Sequence, residues 1–133
     1  MKNSLKIVIA LALLVGCGQQ DSPKNPCTQF DDSDLEMLNL IESIKKKYAH
    51  NTLFIQRFEM SQVYWVQYRD RHLRAIYPKD WDRSYRKENG TEIFNTCKCQ
   101  ELTRMTKARV EELNLFMTNG PNDQLDCPSV WNE

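Results

Sequence analysis

Hydrophobic positions recur at the three-to-four-residue spacing of amphipathic helices in three stretches of the chain. In the first stretch, Ser33 and Glu36 form the Ser-x-x-Glu pattern that caps helix N-termini, so we predict a helix over about residues 34–50. The second stretch predicts a helix over about residues 52–77. Pro78 ends it, because a proline disfavours helical backbone at the residue before it.

The third stretch predicts a helix over about residues 92–117, ended by the turn-forming residues 119–121, Asn-Gly-Pro. The second and third helices are joined by a linker, residues 78–90. A further short helix can form there, since the linker starts with a proline and finishes with Asn-Gly. The alternation typical of strands is absent from the sequence. The pattern therefore predicts an all-α protein, a small three-helix bundle.

A polar residue interrupts the apolar stripe of each predicted helix. The apolar members are Met37, Leu38, Ile41, Ile44 and Tyr48 on the first helix, Phe54, Phe58, Trp65, Leu73 and Ile76 on the second, and Leu102, Met105, Leu113, Phe116 and Met117 on the third. At about 100° of rotation per residue, Gln62 and Arg69 fall inside the second stripe. Asp34 lies at the edge of the first stripe. Arg109 lies in the middle of the third, with Thr106 beside it.

A buried charge is costly unless it is paired and hydrogen-bonded. We therefore predict an inner polar network that joins the helices, with Asp34 as the carboxylate partner of Arg69 or Arg109, and with Gln62 as a neutral member. The alternative is that both arginines extend from the stripes to water, as long basic side chains often do.

The N-terminus has the layout of a secretory signal. Lys2 and Lys6 form a short positive region, and the apolar run at residues 7–16 is too short to span a bilayer. The run ends in Leu-Val-Gly-Cys, which resembles the lipobox of bacterial lipoproteins and implies lipidation of Cys17. Gly18 rather than aspartate follows, which by the same resemblance implies the outer membrane, facing the periplasm. The alternative is an ordinary signal with Cys17 an incidental thiol.

These features divide the chain into four parts. We predict a lipoprotein signal peptide at residues 1–16, a lipidated tether at 17–30, a helical domain at 31–118, and a C-terminal tail at 119–133 that a disulfide holds. The expected location is the cell envelope, with the membrane contacted through the lipid anchor.

Four cysteines remain after lipidation, Cys27, Cys97, Cys99 and Cys127, and an even number in an exported domain predicts two disulfides. A metal site is the competing interpretation of Cys-x-Cys, but no second close pair completes a ligand set, so we predict none. Residues two apart on a helix point to opposite sides, which disfavours a bond between Cys97 and Cys99 themselves. We therefore expect Cys27 and Cys127 each to tie onto the third helix.

Little in the sequence predicts catalysis. Neither His50 nor His72 lies in a motif that supplies a nucleophile and an orienting acid, and the sequence contains no glycine-rich phosphate loop. The 18 basic and 18 acidic residues balance, which gives no general attraction to nucleic acid. We predict a protein that is not an enzyme and has no cofactor.

The linker is the most suggestive surface in the sequence. It concentrates basic and aromatic residues, the types enriched at binding hot spots. The candidate partner-binding residues are Trp81, Arg83, Tyr85 and Arg86. The alternative is that the aromatic residues fold a short helix back onto the core while the basic residues face water.

Two segments, FEMSQVYWVQYRD and MTKARVEEL, resemble the lysozyme-inhibitor LprI-like N-terminal domain family of bacterial envelope proteins. The matching positions are Phe58, Ser61, Gln62, Trp65, Arg69, Asp70, Thr106, Arg109 and Leu113, with a looser match at Asp34, Met37 and Ile41. The resemblance covers about residues 27–117. Leu73 stands where many members have a cysteine, and the last-helix cysteine of the family lies closer to the threonine. The disulfide pattern therefore does not transfer.

The resemblance implies an envelope-anchored lipoprotein that inhibits lysozyme by binding the enzyme's acidic cleft. The recurrence of Gln62 and Arg69 with Trp65 in the family fits an inner structural role for both. Since a fold does not by itself define a function, the alternative is a lipoprotein that does not inhibit lysozyme. Such a protein would be a structural or binding module for another envelope protein.

Overall fold

The computed structural model describes residues 25–80, 92–121 and 128–132. The main elements are α1 (Pro26–Lys47), α2 (Thr52–Ile76), α3 (Glu92–Met117) and a short 3-10 helix (Val130–Asn132), and residues 78–80 are also helical. No residue of these three ranges belongs to a strand. The prediction of an all-α fold is confirmed for this part of the chain.

Several predictions concern residues outside the described ranges. They include the signal peptide at residues 1–16, the lipidation site Cys17 and one of the four cysteines, Cys127. The linker candidates also lie outside these ranges: Trp81, Arg83, Tyr85 and Arg86.

Helix α1 begins two turns earlier than the sequence pattern predicts. The side chain of Asn25 caps it by accepting a hydrogen bond from the Cys27 backbone N–H at 2.8 Å, and Pro26 occupies the first helical position. Ser33 is buried inside the helix, and its hydroxyl donates to the Gln29 carbonyl at 2.8 Å. The predicted Ser-x-x-Glu cap is therefore wrong, because the Asn-Pro pair upstream supplies the better helix start.

The predicted bounds of α2 and α3 agree with the structure. Asn51 caps α2 by accepting from the Phe54 backbone N–H at 2.9 Å, and Tyr77 ends the helix directly before the proline. Beyond α3, Asn119 and Gly120 adopt left-handed backbone with φ of 65° and 82°. The Gly120 N–H donates to a carbonyl in the last turn of α3 at 2.7 Å.

Trp131 holds the end of the chain against α3. Its ring lies 5.7 Å from that of Phe116. A Cβ atom added to Gly120 would come within 2.6 Å of the indole, so only glycine allows this approach. The tail is therefore docked by an aromatic contact that lies on the C-terminal side of Cys127.

Contacts at the two ends of the molecule define the topology. A disulfide joins Cys27 to Cys99 near the starts of α1 and α3, and the Tyr48 hydroxyl donates to the Phe116 carbonyl at 2.9 Å near their ends. Helices α1 and α3 therefore run parallel. Helix α2 runs antiparallel to both, since its start contacts Phe116 and its end contacts the start of α3. The backbones of α1 and α3 lie close together over more of their length than those of any other pair of helices.

The core is densest where the aromatic residues of all three helices meet. Phe58 stacks on Phe54 with ring centroids 5.4 Å apart and meets Phe116 edge-on at 5.5 Å. The fully or almost fully buried members of this cluster are Met37, Ile44, Tyr48, Phe58, Val110 and Leu113. Three residues assigned to the stripes, Leu38, Ile76 and Met117, are exposed instead, because the helices do not cover the edges of each stripe.

Only one member of the Cys-x-Cys pair is bridged. Cys99 is buried and bonds to Cys27 across a Cα–Cα distance of 4.8 Å, whereas Cys97 is a free thiol of intermediate exposure. The prediction that both cysteines of the pair are bridged is therefore wrong at Cys97. Two residues apart on α3, the side chains point to different sides, and only that of Cys99 faces α1.

Candidate functional site

Trp65 lies at the centre of the polar contacts between the helices. The Arg69 guanidinium carbon is 5.0 Å from the Trp65 ring centroid, and that of Arg109 is 5.9 Å from it. An indole face attracts such cations electrostatically. Trp65 thus joins an arginine of its own helix to an arginine of α3.

Arg69 connects all three helices. It donates from Nη1 to Asp34 Oδ1 on α1 at 3.1 Å and, at 3.5 Å, to the fully buried Thr106 hydroxyl on α3. Its guanidinium also lies 5.5 Å from the ring centroid of Phe30. The Arg69 side chain is 16% exposed and that of Asp34 is 32% exposed, so the guanidinium is mostly shielded from solvent while water reaches the carboxylate.

Arg109 forms the second half of this cluster. It donates to Gln62 Oε1 at 3.2 Å and to Glu112 Oε2 at 2.8 Å. The structure thus arranges the four residues of the expected polar network as two pairs, Asp34–Arg69 and Gln62–Arg109, with both guanidinium groups beside Trp65. Asp34 contacts Arg69 rather than Arg109. Both guanidinium groups are held by the chain's own side chains instead of extending freely to water.

An open groove lies between α1 and α2, and Trp65 lines it as well as contacting the polar cluster. Its volume is about 370 Å³, and we call it the α1–α2 groove; it is lined by Met37, Leu38, Ile41, Gln62, Val63, Trp65, Val66 and Gln67. The Asp34–Arg69 ion pair crosses between the helices at one end, and a Lys45–Glu59 ion pair of 3.1 Å crosses at the other. The hydrogen bond to Glu59 raises the pKa of Lys45, and Glu42 adds to the effect.

Apolar side chains at the groove are open to solvent. Leu38 is 51% exposed, Val63 is 51% exposed and Val66 is 44% exposed. Contiguous exposed apolar groups on a soluble domain mark interaction surfaces. This surface was not predicted, because Leu38 falls within the apolar stripe of the first helix and the two valines fall outside the stripe of the second.

The signal that could have revealed the groove is a repeated spacing. On α1, the series Asp31, Leu35, Leu38 and Glu42 reads acidic, apolar, apolar, acidic at steps of four, three and four residues. On α2, the series Glu59, Val63, Val66 and Asp70 has the same order and the same steps. Residues with these steps share one helix face. Leu38, Val63 and Val66, from the apolar centres of the two series, line the groove.

A second polar cluster links α2 to α3 on the side away from the groove. His72 Nε2 lies 2.9 Å from Glu101 Oε1, and Arg104 donates to both oxygens of the same carboxylate at 2.8 and 2.6 Å. The hydrogen bonds from Arg104 lower the pKa of Glu101 most, and the contact with His72 adds to them against the opposing effect of burial. Glu101 therefore favours its charged form in the folded protein.

The acid dependence of stability should report on this carboxylate. Because folding lowers the Glu101 pKa, the charged carboxylate stabilises the fold fully above its unfolded pKa, about 4.3, and this contribution is lost as the pH falls through the lower folded value. We expect Glu101→Gln to lower Tm near neutral pH, and the gap to wild type to narrow below about pH 4. Glu111→Gln, exposed on the same helix, is the control. A gap that stays constant down to pH 2 would contradict the assignment.

Replacing Arg69 tests the contact between helices. We expect Arg69→Ala to lower the free energy of unfolding by about 2–3 kcal/mol, less than for a fully buried pair because water reaches Asp34. Combining it with Asp34→Ala in a double-mutant cycle should give a coupling of about 1 kcal/mol. Arg74→Ala, whose partner Asp70 is half exposed, should change stability by less than about 0.5 kcal/mol. Zero coupling in urea unfolding would show that the Arg69–Asp34 contact does not hold the helices.

Tyr77, which ends α2, packs edge-on against Phe94 with ring centroids 5.6 Å apart, and burial raises the pKa of its hydroxyl. Across the described ranges, no three histidine, cysteine, aspartate or glutamate side chains are grouped so as to hold a metal ion. None of the helices that the structure describes is long and apolar enough to cross a membrane.

Comparison with known proteins adds no relative to this picture. The chain matches no protein-family model, and no match was found among curated proteins or solved structures. The resemblance to the LprI-like family stays a prediction from the residues that carry it.

Proposed function

We propose that this protein is a lipid-anchored binding protein of the bacterial cell envelope, which holds a partner protein in the α1–α2 groove. The observation that carries the proposal is the groove itself, an apolar slot of about 370 Å³ with half-exposed aliphatic side chains along it. Exposed apolar area costs free energy in water, and a partner that covers it recovers that free energy.

The polar cluster supports a scaffold role beside the groove. Arg69 and Arg109 are held by Asp34, Gln62 and Glu112. Their contacts fix Trp65, which forms part of the groove floor. A binding surface whose Trp65 side chain is already held in place loses little side-chain freedom when a partner binds.

The anchor part of the proposal rests on the Leu-Val-Gly-Cys sequence that ends at Cys17. Several acyl chains on one cysteine hold a protein durably at a membrane, since each buried methylene contributes about 0.8 kcal/mol. Metabolic labelling with a palmitate analogue should mark the wild-type chain. Cys17→Ser should abolish the label and Cys97→Ser should retain it; a label that survives Cys17→Ser excludes the anchor.

Cross-linking in cells tests the groove. A photo-activatable residue placed at Val63 in the full-length chain should give a discrete cross-linked product. The same residue at Tyr64, which is 62% exposed but does not line the groove, is the matched control and should give none. If the two positions cross-link equally, or neither does, the groove is not the binding site.

Lysozyme inhibition is the second candidate function, and one observation favours it. Residues that carry the family resemblance form one chain of contacts, which runs from Gln62 through Arg109, Trp65 and Arg69 to Thr106. Such a cluster would be the structural centre that this chain shares with the family, and the proposed contact with the acidic cleft of lysozyme is at Trp81, Arg83, Tyr85 and Arg86.

An inhibition assay separates the two candidates. The chain from Gly18 onwards should slow lysis of cell-wall substrate by lysozyme if it is an inhibitor, and Trp81→Ala or Arg83→Ala should weaken the effect while leaving Tm unchanged. No inhibition at a tenfold excess of the protein over the enzyme would remove this candidate and leave the groove proposal standing.

A further inference from the structure

One face of α2 is exposed along the whole length of the helix. Ten residues with the spacing of a single helix face form it, and we call it the outer face of α2: Leu53, Gln56, Arg57, Met60, Tyr64, Gln67, Tyr68, Arg71, Arg74 and Ala75. All ten are exposed. The face lies opposite the side on which the helix buries Phe58 and Leu73.

The outer face is unusually apolar for a side that points away from the core. Leu53, Met60, Tyr64 and Tyr68 are each at least half exposed. A surface helix normally places charged and polar residues there, so apolar and aromatic side chains mark a contact surface. A tyrosine ring has an apolar body and a polar hydroxyl, and such rings settle at the boundary between lipid and water.

The charges on the outer face are all positive. Arg57, Arg71 and Arg74 belong to it, and none of its ten residues is acidic. Arg74 contacts Asp70 at 3.4 Å, whereas neither of the other two arginines forms an ion pair with a residue that the structure describes. Arginine stems can cover apolar surface while their guanidinium groups reach phosphate oxygens.

The borders of the outer face do not cancel this charge. Their carboxylates are held in ion pairs: Glu59 by Lys45 and Asp70 by Arg74 on the α1 side, and Glu101 by Arg104 and Glu112 by Arg109 on the α3 side. Lys45 also contacts Glu42, and the neighbouring Lys46 balances that second carboxylate. Beyond the helix, Lys79 and Asp80 add one charge of each sign. The two unpaired arginines therefore leave the outer face positive.

The proposed anchor keeps the domain close to a bilayer. Eight peptide steps join Cys17 to Asn25, the cap of α1. A chain of that length spans at most about 28 Å when fully extended. Each helix with its side chains is about 10–12 Å in diameter, so this reach is close to the width of two helices side by side. An anchored domain of this kind presents one of its faces to the lipid surface.

We propose that the outer face of α2 rests on an anionic lipid surface, with its apolar and tyrosine side chains at the level of the headgroups and its arginines on lipid phosphates. This inference rests on the anchor in the proposed function and goes beyond it, since it assigns a second surface and leaves the α1–α2 groove open for a partner. A second copy is disfavoured as the occupant, because it would bring arginines against arginines.

Vesicle binding without the anchor tests the proposal. Every described contact of the fold lies between residues 25 and 132, so the protein used is the chain from Gly18 onwards. Flotation measures its partition onto vesicles of phosphatidylcholine alone or with about 30% phosphatidylglycerol. We expect the partition coefficient to be at least tenfold larger for the anionic vesicles. The ratio should fall as salt rises from about 0.05 to 0.5 M, because salt screens exposed charges.

Paired charge variants locate the arginines that bind. Arg57→Gln combined with Arg71→Gln should weaken binding to anionic vesicles at least tenfold. Lys46→Gln combined with Lys107→Gln removes the same charge from exposed positions on α1 and α3, and it should leave binding within twofold. Far-UV circular dichroism checks that each variant is folded.

Paired apolar variants separate the outer face from the groove. Met60→Ser combined with Tyr64→Ser should weaken binding to anionic vesicles at least fivefold. Leu35→Ser combined with Leu38→Ser changes two half-exposed side chains of α1, one of which lines the groove, and it should leave binding within twofold. If the leucine pair has the larger effect, lipid enters the groove and the outer face is not the contact.

Other results overturn the proposal in distinguishable ways. Equal partition onto the two kinds of vesicle, or binding unchanged by the arginine pair, excludes an anionic lipid contact at this face. A concentration-dependent dimer that Tyr64→Ser abolishes would make the occupant a second copy, and a protein cross-linked at Tyr64 in cells would make it a partner protein. If vesicle binding fails while the palmitate label and the cross-link at Val63 persist, this inference falls and the proposed function stands.

Discussion

Removing the Cys27–Cys99 disulfide should lower the free energy of unfolding by about 4 kcal/mol, measured by urea denaturation of a variant with alanine at both positions. The bridge joins residues 72 apart in sequence, and a cross-link that closes so long a loop removes much of the conformational freedom of the unfolded chain. The effect is large because a helical domain of this size has only about 5–15 kcal/mol of stability in total.

The free thiol provides the matched control for this prediction. Cys97→Ala changes a partly exposed side chain that is not bridged, and it should shift stability by less than about 1 kcal/mol. Adding reductant to the wild type should reproduce the destabilisation of the double alanine variant. If Cys97→Ala costs as much as the loss of Cys27 and Cys99, the bridge in solution uses Cys97, and the pairing described here is wrong.

Phe58→Ala should have a comparable effect, a loss of about 3–5 kcal/mol. Phe58 is one of two buried residues of α2. Its ring centroid lies 5.4 Å from that of Phe54 and 5.5 Å from that of Phe116. Truncation leaves a cavity at the point where the three helices meet, and the rings around it lose their contacts. Thermal or urea unfolding measures the change.

Tyr64→Ala is the control for Phe58→Ala. It removes an aromatic ring of similar size from the same helix, but from an exposed position, so the expected change is within about 0.5 kcal/mol. Equal losses for both variants would mean that the outer face of α2 is covered in solution, which neither the fold nor the groove proposal allows.

The sequence predicted α2 and α3 well because strong local signals mark their ends. A proline follows α2, an asparagine caps its start, and Asn-Gly with positive φ follows α3. The start of α1 was predicted wrongly because two N-terminal capping signals lie close together in the sequence. The prediction used the Ser-x-x-Glu pattern at Ser33, whereas the helix begins at Asn25-Pro26. Local capping residues thus decide where each helix ends, and a second capping pattern nearby explains the wrong start predicted for α1.

Contacts between helices were harder to predict from the sequence. Periodicity placed Asp34 and Arg69 on facing stripes, and the structure holds them 3.1 Å apart. It could not say which of Cys97 and Cys99 faces α1, because that depends on the rotation of α3 against α1. Nor could it show that Leu38 borders an open slot, since a stripe records which face is apolar but not how much of that face a neighbour covers.

The unequal attachment of the three helices has a consequence for native-state dynamics. Helix α2 buries only Phe58 and Leu73 among its 25 residues, whereas the backbones of α1 and α3 lie close together over much of their length and the disulfide joins them. Partial opening that releases α2 should therefore require less free energy than global unfolding, while the bridge keeps α1 beside α3. Amide protons of α2 would exchange through this opening. A ligand that rests on both α1 and α2 would close it, so binding and protection of α2 from exchange should rise together.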